Sequence, residues 1–372
     1  MNFALLGNSP LIGNFESQLA VSKIHRRVYV SDDLQEIDLA ELEESKAEVV
    51  IFDGQAEEAV LRSALQALKG FQGTVFISPL CPRTVLTAYE FERMASESIG
   101  TFIPLLPVLQ HAGLQQLLGA PADDDSSPNI AFAVGEIESV DMQRSLTPAD
   151  GAGVLDALHQ DMPVLFKFAG SIKEVVAMRT GSEPIPLNVQ CTSETDRLVR
   201  WSAIRPSSEQ AMAQILIEGT EGRVRIQLQE TGDWNIETSG RTFSFPPTDL
   251  LELCTAKPND LDHLWIFFTH SLEVREAVAK SLQRGRLVRI NLDGRGERTA
   301  FMGTMASLGC ALLLVSLGLL VFSAAILSLV PENRFGRLYV WVEKVPWVLA
   351  AMMILFLLIQ FFAFVIPRRG GE

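Results

Sequence analysis

Two runs without a charged residue set the first limit on what this chain can be. One covers residues 299–331, 33 positions between Arg298 and Glu332; the other covers 345–367, 23 positions between Lys344 and Arg368. About 20 apolar residues in a helix cross the hydrocarbon core of a bilayer. Both runs are therefore read as transmembrane helices, joined by a short extracytoplasmic loop, 332–344. Arg284, Arg286, Arg289, Arg295 and Arg298 precede the first run, and Arg368 and Arg369 follow the second. The loop holds only Arg334, Arg337 and Lys344. The positive-inside bias then predicts an inner (cytoplasmic) membrane protein with its soluble part and both termini on the cytoplasmic side. Tyr339, Trp341 and Trp347 stand where an interfacial aromatic belt belongs. Small residues in the first run (Gly303, Ser307, Gly309, Ser316, Gly318, Ser323) let helices approach closely, and Gln360 in the second could hydrogen-bond a neighbour. A membrane protein partner or a second copy is thus expected, beside the lipid bilayer. With no charge inside either run, ion or proton conduction through this chain alone is excluded.

The rest of the 372 residues leaves room for one large or two medium domains. The chain carries −14 overall and +2 from Thr299 onward, so the part before the membrane runs carries −16. That field repels phosphate backbones, and nucleic acid is excluded as a partner. Cys81, Cys191, Cys254 and Cys310 are scattered without metal-ligand spacing. They read as reduced thiols of a cytoplasmic domain. The N-terminus opens directly as a strand and carries no basic region or apolar stretch of a signal peptide.

Up to about residue 120 the pattern alternates strand and helix. Strands are expected at Asn2–Leu6, Arg27–Val30, Glu48–Phe52, Thr74–Ile77 and Thr101–Leu106, with helices at Phe15–Ser22, Leu39–Ser45, Glu57–Lys69 and Pro82–Ser98. Such alternation means βαβ units and a doubly wound, Rossmann-like parallel sheet, residues 1–120. Residues 121–128 are polar and flanked by proline, and read as a linker. Its Asp123, Asp124 and Asp125 are taken as solvated, and no metal site is expected. From 129 to 292 long alternating strands follow: Asn129–Val140, Glu174–Arg179, Leu187–Cys191, Arg197–Ile204, Ala213–Ile217, Arg223–Leu228 and Trp234–Thr238. Period-2 patterning with hairpin turns predicts an α+β domain on an open antiparallel sheet. A helix is expected from Pro148 to His159 with Thr147 as its N-cap, and a longer one over Asp260–Arg284. Arg286–Asn291 closes the series as a strand.

The order of these parts, together with four stretches, resembles the glucose-fructose oxidoreductase/inositol dehydrogenase family over roughly residues 1–292. The stretches are Phe3-Ala-Leu-Leu-Gly7, Gly151-Ala-Gly153-Val-Leu-Asp156 with His159, Ile217-Glu-Gly-Thr-Glu-Gly222-Arg-Val-Arg-Ile, and Ser271-Leu-Glu-Val-Arg-Glu-Ala-Val-Ala-Lys-Ser281-Leu-Gln-Arg-Gly285. The resemblance implies a nucleotide-binding domain followed by a substrate domain, NAD or NADP as cofactor, and oligomerisation through the open sheet face.

The departures from that pattern carry as much information. The family's glycine-rich loop lets the backbone approach a pyrophosphate at a helix N-terminus. Here it reads Gly7-Asn-Ser9-Pro10-Leu-Ile-Gly13: Ser9 stands for the second glycine, the third comes one position late, and Pro10 removes an N–H donor. After the third strand comes the acidic Asp53-Gly-Gln-Ala-Glu-Glu58, where the family has a proline and histidine-bearing segment. The family's Glu-Lys-Pro is Ile77-Ser78-Pro79, so its lysine is missing. Asp156 and His159 are three apart where the family spaces an aspartate and histidine by four. They still share a helix face and would make a proton-transfer couple in an active enzyme. His25, His111, His263 and His270 show no ligand spacing.

These departures lead to a catalytically silent, membrane-anchored subunit with a structural or regulatory role in a membrane complex, with no cofactor or catalytic residue expected. One alternative is an active NAD(P)-dependent oxidoreductase acting on a sugar or polyol at the membrane. In it Asp156 and His159 would be catalytic, and Gly7, Ser9, Gly13 and Asp32 would hold the cofactor. The other is a nucleotide- or sugar-sensing module.

Overall fold

Short strands buried on both faces build the first layer. Val49-Val-Ile-Phe52 is buried at all four positions, as a strand between two helix layers must be. In the computed structural model, β1 (Asn2–Leu6), β2 (Arg26–Ser31), β3 (Val49–Phe52), β4 (Thr74–Ile77) and β5 (Thr101–Pro104) form one parallel sheet in the order β2-β1-β3-β4-β5. The helices between them are α1 (Pro10–Val21), α2 (Leu39–Glu44), α3 (Glu58–Leu68) and α4 (Val85–Glu97). The winding reverses between β1 and β3, so the crevice at the carboxyl ends of those two strands is the place for a ligand in this architecture. A 3₁₀ turn (Pro107–Gln110) and α5 (Ala112–Leu118) follow.

The structure describes residues 1–290, apart from 36, 55, 120–129, 131–133, 148–149, 180, 182, 207–211, 230, 239 and 256–260, together with Leu319. The expected linker at 121–128, with its three aspartates, lies outside the described residues. So do the expected membrane runs and the loop between them, Leu319 apart. Among the described residues no helix is long and apolar enough to cross a membrane. Met1–Ile290 is one compact unit.

The second layer is a nine-stranded sheet in the order β13-β12-β11-β10-β6-β9-β8-β7-β14. Its strands are β6 (Ile137–Ser145), β7 (Ile172–Arg179), β8 (Leu187–Ser193), β9 (Leu198–Ile204), β10 (Ala213–Gly219), β11 (Arg223–Leu228), β12 (Trp234–Thr238), β13 (Arg241–Phe245) and β14 (Val288–Arg289). Leu187, Val189, Cys191 and Ser193 of β8 turn to the core while Asn188 and Gln190 face out, the alternation of a half-covered sheet. The covered face packs against α6 (Gly151–Ala169) and α8 (Leu261–Arg284); the short α7 (Leu250–Thr255) lies between sheet and α8 in sequence.

Several expectations are corrected here. The sheet is mixed, because β6 and β9 run parallel. The strand expected at Asn129–Val140 is β6, which begins at Ile137; Ile130 and Val134 are helical. The helix expected from Pro148 to His159 begins at Gly151. Asp150, not Thr147, caps it by accepting from the Gly153 N–H at 2.8 Å. It continues past His159 through Pro163 to Ala169. Helix α1 starts five residues earlier than expected, with Pro10 in its first turn and the Ser9 hydroxyl accepting from the Ile12 N–H. The last strand is only Val288–Arg289, and β13 was not anticipated.

Candidate functional site

A cavity of about 440 Å³ opens at the switch point between β1 and β3, within the range of small-molecule sites. One wall is the loop entering α1, with Ser9, Pro10, Leu11 and Asn14. Ser78–Leu80 after β4 and Leu105–Val108 after β5 form the next side. The sheet supplies the floor: Met142 and Arg144 from β6, Ala213 and Ile215 from β10, Ile226 and Leu228 from β11, and Trp234 from β12. Gln160, Asp161 and Val164 of α6 close it.

The polar side chains fall into two clusters. At the strand ends, Asp53 is buried and its carboxylate accepts from the Ser9 hydroxyl, the Ser78 hydroxyl and the Cys81 thiol. Burial raises the Asp53 pKa, and these three bonds oppose the rise. Burial, then the neighbouring carboxylate, holds Cys81 well above the ordinary thiol range, so it is a thiol and not a nucleophile. Gly7 makes the close approach possible. It has φ +113°, and a Cβ there would lie 1.4 Å from the Asp53 carbonyl oxygen, so no other residue fits.

On the floor, Arg144 Nη1 lies 3.3 Å from Asp161 Oδ1, and Trp201 Nε1 donates to Asp161 Oδ2 at 2.9 Å. Burial raises the Asp161 pKa, with Arg144 and Trp201 pulling it back. Arg144 Nε has no hydrogen-bond partner among the described residues. Trp234 stacks on the His111 ring, centroids 4.2 Å apart and planes 17° from parallel, which fixes the indole against the cavity.

The residues named from the sequence are not gathered here as a catalytic couple. Asp156 faces Arg275 at 2.8 Å, away from the cavity. His159 is 2% exposed, with Nε2 at 2.8 Å from the Pro79 carbonyl oxygen and Nδ1 at 2.7 Å from Ser271 Oγ. The cavity-facing position is Gln160, four residues after Asp156 and one beyond His159. Ser9 lines the cavity; Gly7 underlies it, Gly13 is exposed on α1, and Asp32 is exposed just beyond β2. Arg144, Asp161 and Trp234 were marked by no local motif, whereas Gln160 stands at the four-residue spacing from Asp156 where the family pattern has its histidine.

No protein-family model matches the chain, and no characterised protein matches it by sequence. Solved structures do match. A myo-inositol dehydrogenase from Corynebacterium glutamicum superposes with a TM-score of 0.55 at 14% identity, over 78% of this chain and 99% of that one. An NAD-binding oxidoreductase from Klebsiella pneumoniae gives 0.58 at 12% identity, over 78% and 99%. The fold is that of the inositol dehydrogenases. The same fold is shared by the dehydrogenase WlbA from Chromobacterium violaceum, solved with NADH and UDP-GlcNAcA (TM-score 0.52, 15% identity, 78% and 96% covered). Set against an inositol dehydrogenase-like site, the residues here suit a dinucleotide poorly. The Ser9 hydroxyl already caps α1 and bonds Asp53, Pro10 has no N–H, and a buried carboxylate lies against the phosphate loop. Among the described residues no cluster of three metal-ligating side chains occurs.

Proposed function

We propose that this chain is a catalytically silent protein of the dehydrogenase fold, anchored at the inner membrane by its two uncharged runs and serving as a structural or regulatory subunit of a membrane complex. The observation that carries the silent reading is the Asp53 cluster. Three departures from the family pattern, at Ser9, Asp53 and Ser78, bond to one another rather than leaving an incomplete active site. Hydride transfer needs a cation or acid to polarise a hydroxyl or carbonyl. Ser78 supplies no charge, Gln160 cannot act as an acid or base, and the Arg144 guanidinium is engaged by Asp161 at 3.3 Å. The uncharged runs and the arginines flanking them support the anchor and its orientation.

Titrating NADH and NADPH into the purified full chain, with nicotinamide fluorescence as readout, tests the silent reading. The expected result is no saturable binding in the micromolar range. A low-micromolar dissociation constant for either would favour the second reading, an active oxidoreductase on a sugar or polyol. That reading draws its support from the position of the cavity at the switch point and from neighbours solved with NAD or NADH.

A further inference from the structure

We infer that the cavity binds a small, uncharged and largely apolar molecule through an oxygen acceptor placed against Gln160. The inference rests on the silent reading, since it gives the cleft to a ligand other than a dinucleotide. Fifteen of the 22 lining residues are apolar, counting proline, and on the floor from Met142 to Trp234 only Arg144, paired with Asp161, and the Trp234 indole carry a hydrogen-bonding group. A sugar or polyol buried there would leave hydroxyls unpaired, each at a penalty of about 1–3 kcal/mol. An apolar body would instead displace water from that surface.

The charges argue for neutrality. Arg144 is already balanced by Asp161 at 3.3 Å, so an anion would compete with a buried carboxylate for one guanidinium. Asp53 is satisfied by two hydroxyls and a thiol, so a cation would have to displace those donors. The Gln160 amide of α6 is an uncharged hydrogen-bonding group in the cavity wall. Its NH₂ donates to a carbonyl or ether oxygen without bringing in charge.

A matched set of probes tests this: acetophenone, benzoate and benzylammonium share a ring and differ in charge. Ligand-observed NMR on the full chain, with the variants below subtracting partition into detergent, should show saturable acetophenone binding and none for the two ions. Ala213→Phe and Leu228→Trp, which fill the floor from two strands, should each abolish it, with circular dichroism confirming the fold. Gln160→Leu removes the amide and should weaken acetophenone roughly tenfold. Tighter binding of benzoate or benzylammonium than of acetophenone would overturn the inference, as would an acetophenone signal unchanged in both filled variants. NADH binding alongside acetophenone would sink the silent reading and leave the ligand class standing. Failure of acetophenone and NADH alike would sink the ligand class alone.

Discussion

His159 illustrates how a residue suited to catalysis becomes structural. The Pro79 carbonyl only accepts, so the neutral ring carries its proton on Nε2 and leaves Nδ1 to the Ser271 hydroxyl. Burial, with a smaller push from Arg275, lowers its pKa from 6.5 to about 4, although the Pro79 carbonyl and the Ser271 backbone act the other way. The folded-state value lies below the unfolded one, so the unfolded chain takes up the proton first as pH falls. The stability from the neutral ring is present above pH 6.5 and lost progressively toward pH 4. Between pH 7 and 4.5 this amounts to about 2.5 kcal/mol, at about 1.4 kcal/mol for each pH unit between the two values. Urea unfolding of wild type and His159→Gln at both pH values measures it. The variant should lose about that much less stability on acidification. Asp53 and Asp161 titrate in both proteins and cancel in the comparison. Equal losses would show that His159 is not held neutral.

At the scale of elements, α8 is the seam of the molecule. Its Glu276 accepts from the Val85 N–H at the start of α4 at 3.0 Å, Glu273 accepts from the Tyr89 hydroxyl, and Arg275 reaches the Arg83 carbonyl. On the sheet side, His270 Nε2 accepts from the Ile172 N–H at 2.9 Å. The helix ends where Ser281 Oγ accepts from the buried Ala177 N–H and donates to the Arg286 carbonyl, while Gly285 takes φ +61° to turn the chain into β14. Ser281→Ala should therefore destabilise by about 1–3 kcal/mol, because the Ala177 donor loses its acceptor. A shift of the urea midpoint with unchanged slope checks it. That serine-then-glycine turn was legible in the sequence, as were the strands Asn2–Leu6, Thr74–Ile77, Arg223–Leu228 and Trp234–Thr238, whose periodicity is local. Pro10 and Pro163 misled the reading of helix ends. The first sits in an opening turn where no N–H is needed, and the second is carried inside α6 by packing on both sides. The site was less legible, because Ser9, Asp53 and Ser78 meet only through the sheet. A single helical step, from His159 to Gln160, decides which side chain faces the cavity.

For the whole molecule, the compact unit closes at Ile290, ahead of the uncharged runs, and a cut there separates the two. The cut is a natural one. Strand β14 pairs with β7 through Val288 and Arg289, and the Ile290 N–H donates to the Lys173 carbonyl at 2.8 Å. A fragment ending at Ile290 keeps all of these bonds, whereas one ending before Val288 would bare the β7 edge. Its buried core runs from Phe3 to Val278. The stretch before Thr299 carries −16, a charge that an anionic leaflet repels. If the runs at 299–331 and 345–367 are what hold the protein at a membrane, residues 1–290 should fold and remain in the supernatant after ultracentrifugation. The full chain should sediment with membranes, resist a high-salt wash and require detergent for release. A fragment that pellets through the high-salt wash would assign membrane contact to the folded unit. A full chain released by salt alone would show that neither run spans the bilayer.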